Sequence, residues 1–189
     1  SGGGLGSRYY TSLNYTKQDG TLIGTDFSRI SGKTNLDNEI SKRFRVITNL
    51  NYGYTKTNIT EGVYGQALTA PPTFSPYNAD GSYTTLGVLN DDYRGFQNPL
   101  AVASGTNRAK DYTLMGSLSA EYDILKDLKF KSTVSANYSS YNQLNYVPSY
   151  VEIGGFYGRE NSQGGLGSQS HSSSLSTFIE NTLTWNKEF

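Results

Sequence analysis

Residues 111–142, DYTLMGSLSAEYDILKDLKFKSTVSANYSSYN, hold two long runs of alternating residue character joined by a turn of about three residues. In the first run Tyr112, Leu114, Gly116, Leu118, Ala120, Tyr122 and Ile124 fall on one face, opposite Asp111, Thr113, Ser117, Ser119, Glu121 and Asp123. In the second, Leu128, Phe130, Val134, Ala136 and Tyr138 oppose Lys129, Lys131, Thr133, Ser135, Asn137 and Ser139. A period of two is the signature of a strand with differently solvated faces. Met115 is the misfit. Each run is about 13 residues long, against roughly 5 to 6 for an ordinary soluble strand. That length demands a cause.

A membrane supplies one, because a tilted transmembrane strand needs about 9 to 11 residues to cross the hydrocarbon layer, apolar side to lipid and polar side to a wet lumen. Tyr112 and Tyr122 stand near opposite ends of the first apolar face, Phe130 and Tyr138 near opposite ends of the second. Eight to ten residues at about 3.3 Å each and about 40° of tilt rise roughly 20 to 25 Å, the height of an apolar band between aromatic girdles. A large soluble sandwich or solenoid with one solvated face is the alternative from this hairpin alone, since tyrosine is common in soluble strands too.

The rest of the chain decides between them. Alternation predicts six strands, near 8–16, 28–38, 44–57, 111–124, 128–142 and 173–186, with links of about 11, 6, 53, 3 and 30 residues. Long and short links alternate. In an up-and-down sheet alternate links lie on opposite edges, and outer-membrane barrels put short turns on the periplasmic side and long loops outside. Soluble domains rarely carry loops above about 15 residues and give no reason for all of them to leave one edge. Pro71, Pro72, Pro76 and Pro99 and the turn sequence from Asn78 to Gly81 break the alternation between residues 58 and 110. A second excursion, from Gln143 to Ser172, contains Pro148, two Gly pairs and the polar run SQSHSSS. In the last strand Phe178 is an aromatic exception on the polar side.

Composition excludes several classes. Sixteen basic and sixteen acidic residues cancel in a chain of 189, so no strong field draws nucleic acid. The 21 Gly and 16 Tyr, with a hydrophobic fraction of 35%, suit strands with a polar face and long polar loops. With no cysteine there is neither a disulfide nor a thiolate metal site. No apolar run approaches the 18 or so residues of a transmembrane helix, and the start, SGGGLGSRYY, lacks the charged and apolar regions of a signal peptide. The chain opens in mid-pattern and stops at Phe189 directly after a strand, which reads as a piece of something longer.

Over nearly its whole length the chain resembles the SusC/RagA-type TonB-dependent outer-membrane transporters of Bacteroidetes. The resemblance rests on RYYTSLNYTKQDGTLIGTDFSRISGKTNLDNEISKRFRVITNLNYGYTK, the loop pieces ALTAPPTFSPYNADGSY and NPLA, then AEYDILKDLKFKSTVSANYS and NTLTWNKEF, in that order. It implies an all-β, antiparallel up-and-down sheet: six strands of a transmembrane barrel of about 22, residues 1–189 being part of the barrel domain without plug or remaining strands. It further implies a place in the cell outer membrane and import of oligosaccharides or peptides. The implied partners are TonB, reached through a region outside this chain, a SusD-like surface lipoprotein over the mouth, and outer-membrane lipid. The rival function is a secreted β-rich adhesin or glycan-binding module.

The chain offers no enzyme chemistry. His171 sits in HSSSLS, yet a nucleophile and base need a third group to orient them. Asp80 and Asp91-Asp92 lack calcium-loop spacing, and SGGGLG fails the dinucleotide pattern. The expectation is no catalytic residue, no metal and no cofactor. What remains is contact: Phe74, Tyr77, Tyr83, Tyr93, Phe96, Tyr146, Tyr150, Phe156 and Tyr157 stand amid polar residues in the excursions, a mixture suited to stacking substrate or packing against a lid.

Overall fold

Alternation resolves, in the computed structural model, into one antiparallel sheet whose seven strands pair in chain order. The structure describes residues 1–60, 62–85, 96–151 and 165–187. The strands are β1 (Gly2–Gly4), β2 (Ser7–Asp19), β3 (Asp26–Ser41), β4 (Phe44–Asn58), β5 (Thr106–Leu125), β6 (Leu128–Val147) and β7 (Leu166–Trp185). Two short helices, α1 (Val63–Thr69) and α2 (Pro99–Ala103), lie between β4 and β5. The up-and-down order is as expected, and the sheet is open. The seventh strand is the glycine-rich start, which pairs with β2 from Gly2–Tyr9 to Gly4–Ser7.

Several boundaries differ from the sequence reading. β5 begins at Thr106 rather than Asp111, and the second excursion shrinks at both ends because β6 runs on to Val147 and β7 starts at Leu166. The β6–β7 ladder continues unbroken from Leu128–Trp185 to Val147–Leu166. SQSHSSS is therefore strand. Hydrophobic alternation could not show this, since residues on both sides there are polar. Side chains instead bond between strands: His171 Nδ1 lies 2.7 Å from Asn142 Oδ1 across β6–β7, and Gln143 Nε2 donates to Asn107 Oδ1 at 2.9 Å across β5–β6.

Links of two residues, Leu5-Gly6, Lys42-Arg43 and Lys126-Asp127, all lie at one edge, and the three longer ones at the other. Each short turn is fastened to the following hairpin by a backbone bond: Glu39 N to Gly6 O, Asp123 N to Arg43 O and Asn186 N to Asp127 O. Gly6 has φ 79°, and a Cβ there would meet Glu39 O at 3.1 Å, so the first turn needs glycine.

Register aligns the two faces across all the long strands. One face carries the row Tyr9–Leu36–Thr48–Leu118–Val134–Ile179 near mid-height. Toward the short turns lies Phe44–Tyr122–Phe130–Leu183, and toward the loops Tyr15–Ile30–Tyr54–Tyr112. Between these two rows this face bears no Asp, Glu, Lys or Arg. Tyr112 and Tyr122 are separated by about ten residues, roughly 25 Å of height at about 40° of tilt. No second layer among the described residues covers the band: Leu118 is 52% and Ile179 66% exposed.

The other face holds the charges. Arg45 makes a fork to both oxygens of Asp37, and Glu121 lies 3.2 Å from Lys131 and 3.8 Å from Arg45. Each cross-strand pair of this kind contributes a few tenths to about 1 kcal/mol. Ser119, also on this face, is 6% exposed and bonds Thr133 Oγ1 at 2.8 Å.

Among the described residues the buried apolar side chains are Val63, Ala101, Ala109 and Val151, and all belong to the loops or to the loop edge of β5. Among the described residues the packed core is thus a small cap on one edge of the sheet, and neither face carries a second layer.

Candidate site: an aromatic ledge on the loop edge

Asn98 is the hub of the cap. Its Oδ1 accepts from Leu100 N at 3.0 Å and Ala101 N at 3.4 Å, capping α2, while Nδ2 donates to Pro76 O at 2.8 Å and Thr84 O at 3.2 Å. An Asn N-cap followed by Pro at the first helical position is a strong start signal. The helix it starts is only five residues long, too short for a helical period to show in the sequence. The clasp from Asn98 closes the base of a small hairpin, in which Tyr77 bridges Tyr83 and Asn78 N donates to Ser82 O at 2.8 Å around Asp80-Gly81. Gly81 takes φ 84°, the left-handed conformation this turn requires.

Asp80 closes the tip. Its carboxylate accepts from Ser82 Oγ at 2.6 Å and Ser82 N at 2.9 Å. The hydroxyl first and the amide second hold its pKa below the usual carboxylate value.

Two rings of this hairpin and one from another loop meet in series. Tyr77 and Tyr83 have centroids 5.4 Å apart, and Tyr83 stacks on Tyr150 from the β6–β7 loop, again at 5.4 Å. The Tyr150 hydroxyl also lies 3.0 Å from Ser104 Oγ. Tyr77 and Tyr150 remain exposed. Three of the nine expected contact residues therefore converge. Phe74 and Phe96 are half-buried in the same loop, outside the ring line. Tyr146 lies in β6, paired with Thr106 and Gly167 on the apolar side of the register. Tyr93, Phe156 and Tyr157 lie outside the described residues.

Lower on the polar face is a depression of about 460 Å³ lined by Asn49, Asn51, Met115, Asn137, Ser176 and Phe178 among others. Met115 and Phe178, the two misfits in the alternation, sit here on β5 and β7 on either side of β6. Among the described residues no three His, Cys, Asp or Glu side chains gather as metal ligands. His171 directs Nδ1 at Asn142.

No protein-family model matches the chain. Aligned over its full length, it is 31% identical across 204 positions to the TonB-dependent receptor P3 of Formosa agariphila, of which it spans 19%. To the TonB-dependent receptor SusC of Bacteroides thetaiotaomicron it is 25% identical over 181 positions, covering 84% of this chain and 18% of SusC. The fold superposes on the RagAB peptide importer in its closed-closed state with a TM-score of 0.71 at 17% identity, covering 97% of this chain and 21% of that one. The chain thus spans about a fifth of the length of these relatives. Uninterrupted sheet order, long alternating strands and the full-length sequence match agree: the chain belongs to the TonB-dependent receptors of the SusC/RagA type, and its sheet is a stretch of their barrel wall.

Proposed function

We propose that this sheet is lipid-facing wall in the outer membrane, and that its loop edge forms part of the extracellular mouth of a TonB-driven importer of oligosaccharides or peptides. The observation that carries it is the band without charge, framed by two aromatic rows at the height of a hydrocarbon layer. A soluble module would need a second layer over that band, and Leu118, Val134 and Ile179 lie bare. The remaining strands and the plug belong to other parts of the receptor, which also reach TonB.

On this reading the Tyr77–Tyr83–Tyr150 line is a ledge at the mouth, where rigid rings stack on a sugar face or an apolar peptide side chain at small entropic cost. A SusD-like lipoprotein covers it from outside. The test is the full-length receptor lacking residues 77–83, which removes the hairpin tip and spares Asn98 and α2. Expected is normal barrel assembly, read as heat-modifiable mobility of the outer-membrane protein, with loss of growth on the cognate glycan or peptide. Normal growth of an assembled deletion variant would remove the ledge from the transport path.

A further inference from the structure

One alternation beyond the Tyr54–Tyr112 row, on the same face, the side chains turn basic. Lys56 and Lys110 lie directly opposite each other across β4 and β5, and Arg108 stands one alternation further on, opposite Asn58. Like charges in direct cross-strand opposition are unfavourable in an isolated sheet, and neither lysine has an ion pair among the described residues. Among the described residues the acids on this face at this edge lie on β2 and β3: Asp19 is 3.6 Å from Lys17, and Asp26, opposite Asn58, accepts from its Nδ2 at 2.5 Å. Arg108 Nε donates to the same asparagine, to Oδ1 at 3.2 Å. Asn142 and His171 continue the Lys56–Lys110 row with neutral polar groups. Among the described residues, three cations thus face outward together on β4 and β5, and neither strand puts an acid beside them on this face.

Their height selects the partner. Leu50, Leu114 and Tyr52 of the charge-free band lie on the same two strands, just toward the short turns from the Tyr54–Tyr112 pair. That pair has centroids 4.6 Å apart, and paired tyrosines of this kind mark the level of lipid headgroups. An anion reaching Lys56 and Lys110 from this face therefore arrives with acyl chains below it. We propose that Lys56, Lys110 and Arg108 form a binding site for the phosphate headgroup of an outer-leaflet lipid, an inference that rests on the membrane reading above. The phosphate oxygens accept from the two ammonium groups and the guanidinium, and the acyl chains lie along Leu114 and Leu50. The like-charge pair is then relieved by its ligand.

The experiment uses the full-length receptor in neutral detergent, with native mass spectrometry to count retained lipid. The probes are bisphosphorylated lipid A, the same lipid stripped of both phosphates, and inorganic phosphate. Wild type is expected to bind the phosphorylated lipid about thirtyfold more tightly than Lys56→Ser/Lys110→Ser, and about fivefold more tightly than Lys110→Ser alone should the double variant fail to assemble. The arginine pair Lys56→Arg/Lys110→Arg and the opposite-face control Arg29→Ser/Lys33→Ser should bind as wild type does. The stripped lipid should bind wild type and variants alike. Equal retention of phosphorylated lipid by wild type and the serine variants overturns the site, as does its displacement by millimolar inorganic phosphate. Failure of the wild-type receptor to insert into neutral phosphatidylcholine vesicles overturns the membrane reading as well; insertion with phosphate-independent retention overturns the lipid site alone.

Discussion

Tyr83 and Tyr150 stack with ring centroids 5.4 Å apart and so fasten the β4–β5 loop to the β6–β7 loop. The Tyr150 hydroxyl also meets Ser104, so one side chain joins the hairpin tip, the end of α2 and a separate loop. Tyr150→Phe should keep the stack and lose the hydroxyl contact, costing about 0.5 to 1.5 kcal/mol locally and sparing uptake. Tyr150→Ala loses both and should impair substrate binding by the full-length receptor, measured by calorimetry. Equal binding losses in the two variants would place the importance in the hydroxyl rather than the ring.

Asn98 is 5% exposed and serves α2 with its oxygen and the Tyr77–Tyr83 hairpin with its nitrogen. Asn98→Ala should cost about 1 to 3 kcal/mol, through loss of the cap and the stranding of two carbonyls. Asn98→Asp keeps the cap and loses only the clasp. Hydrogen exchange should therefore speed up in residues 76–84 for both variants, but in residues 99–104 for alanine alone, with the β4–β5 ladder unchanged.

Facing can be tested with a single arginine. Leu118→Arg, near mid-band, should destabilise folding into lipid by about 2 to 4 kcal/mol. Met115→Arg, on the opposite face and 47% exposed, should cost far less. Ser119, adjacent to Leu118, is not a fair comparison, because it is buried against Thr133. Urea titration of the receptor in vesicles measures both; matching costs would contradict the assignment of faces.

The hairpin tip should be acid-sensitive. Ser82 lowers the pKa of Asp80 in the folded loop, so this contribution is complete above the usual carboxylate value of 3.8 and is lost as pH falls through the lowered one. Protease cleavage within residues 78–82 should rise below that value in wild type, and Asp80→Ala should show the faster cleavage already at neutral pH. A wild-type rate independent of pH would mean that the turn does not rely on the carboxylate.

Strand order and facing were legible in the sequence wherever alternation separated apolar from polar, as from Leu114 to Tyr122 and from Phe130 to Tyr138, because a period of two leaves one register that keeps every apolar side chain together. The aromatic ends of those runs, Tyr112 and Tyr122, Phe130 and Tyr138, mark the height of the band in the sequence itself. Strand ends were not legible where both faces turn polar. Gln143 to Val147 and Leu166 to Ser172 join the ladder through partners such as Asn142–His171, and only the fold brings those partners together. Met115 and Phe178 read as faults until register put both beside one depression. The loop cap depended wholly on tertiary structure. Tyr77, Tyr83 and Tyr150 were three aromatics among nine, and nothing local distinguishes a ring that meets another ring from one that meets water. Asn98 decides it, by closing a hairpin upstream while starting a helix downstream, a long-range pairing of hydrogen bonds that composition and period do not encode.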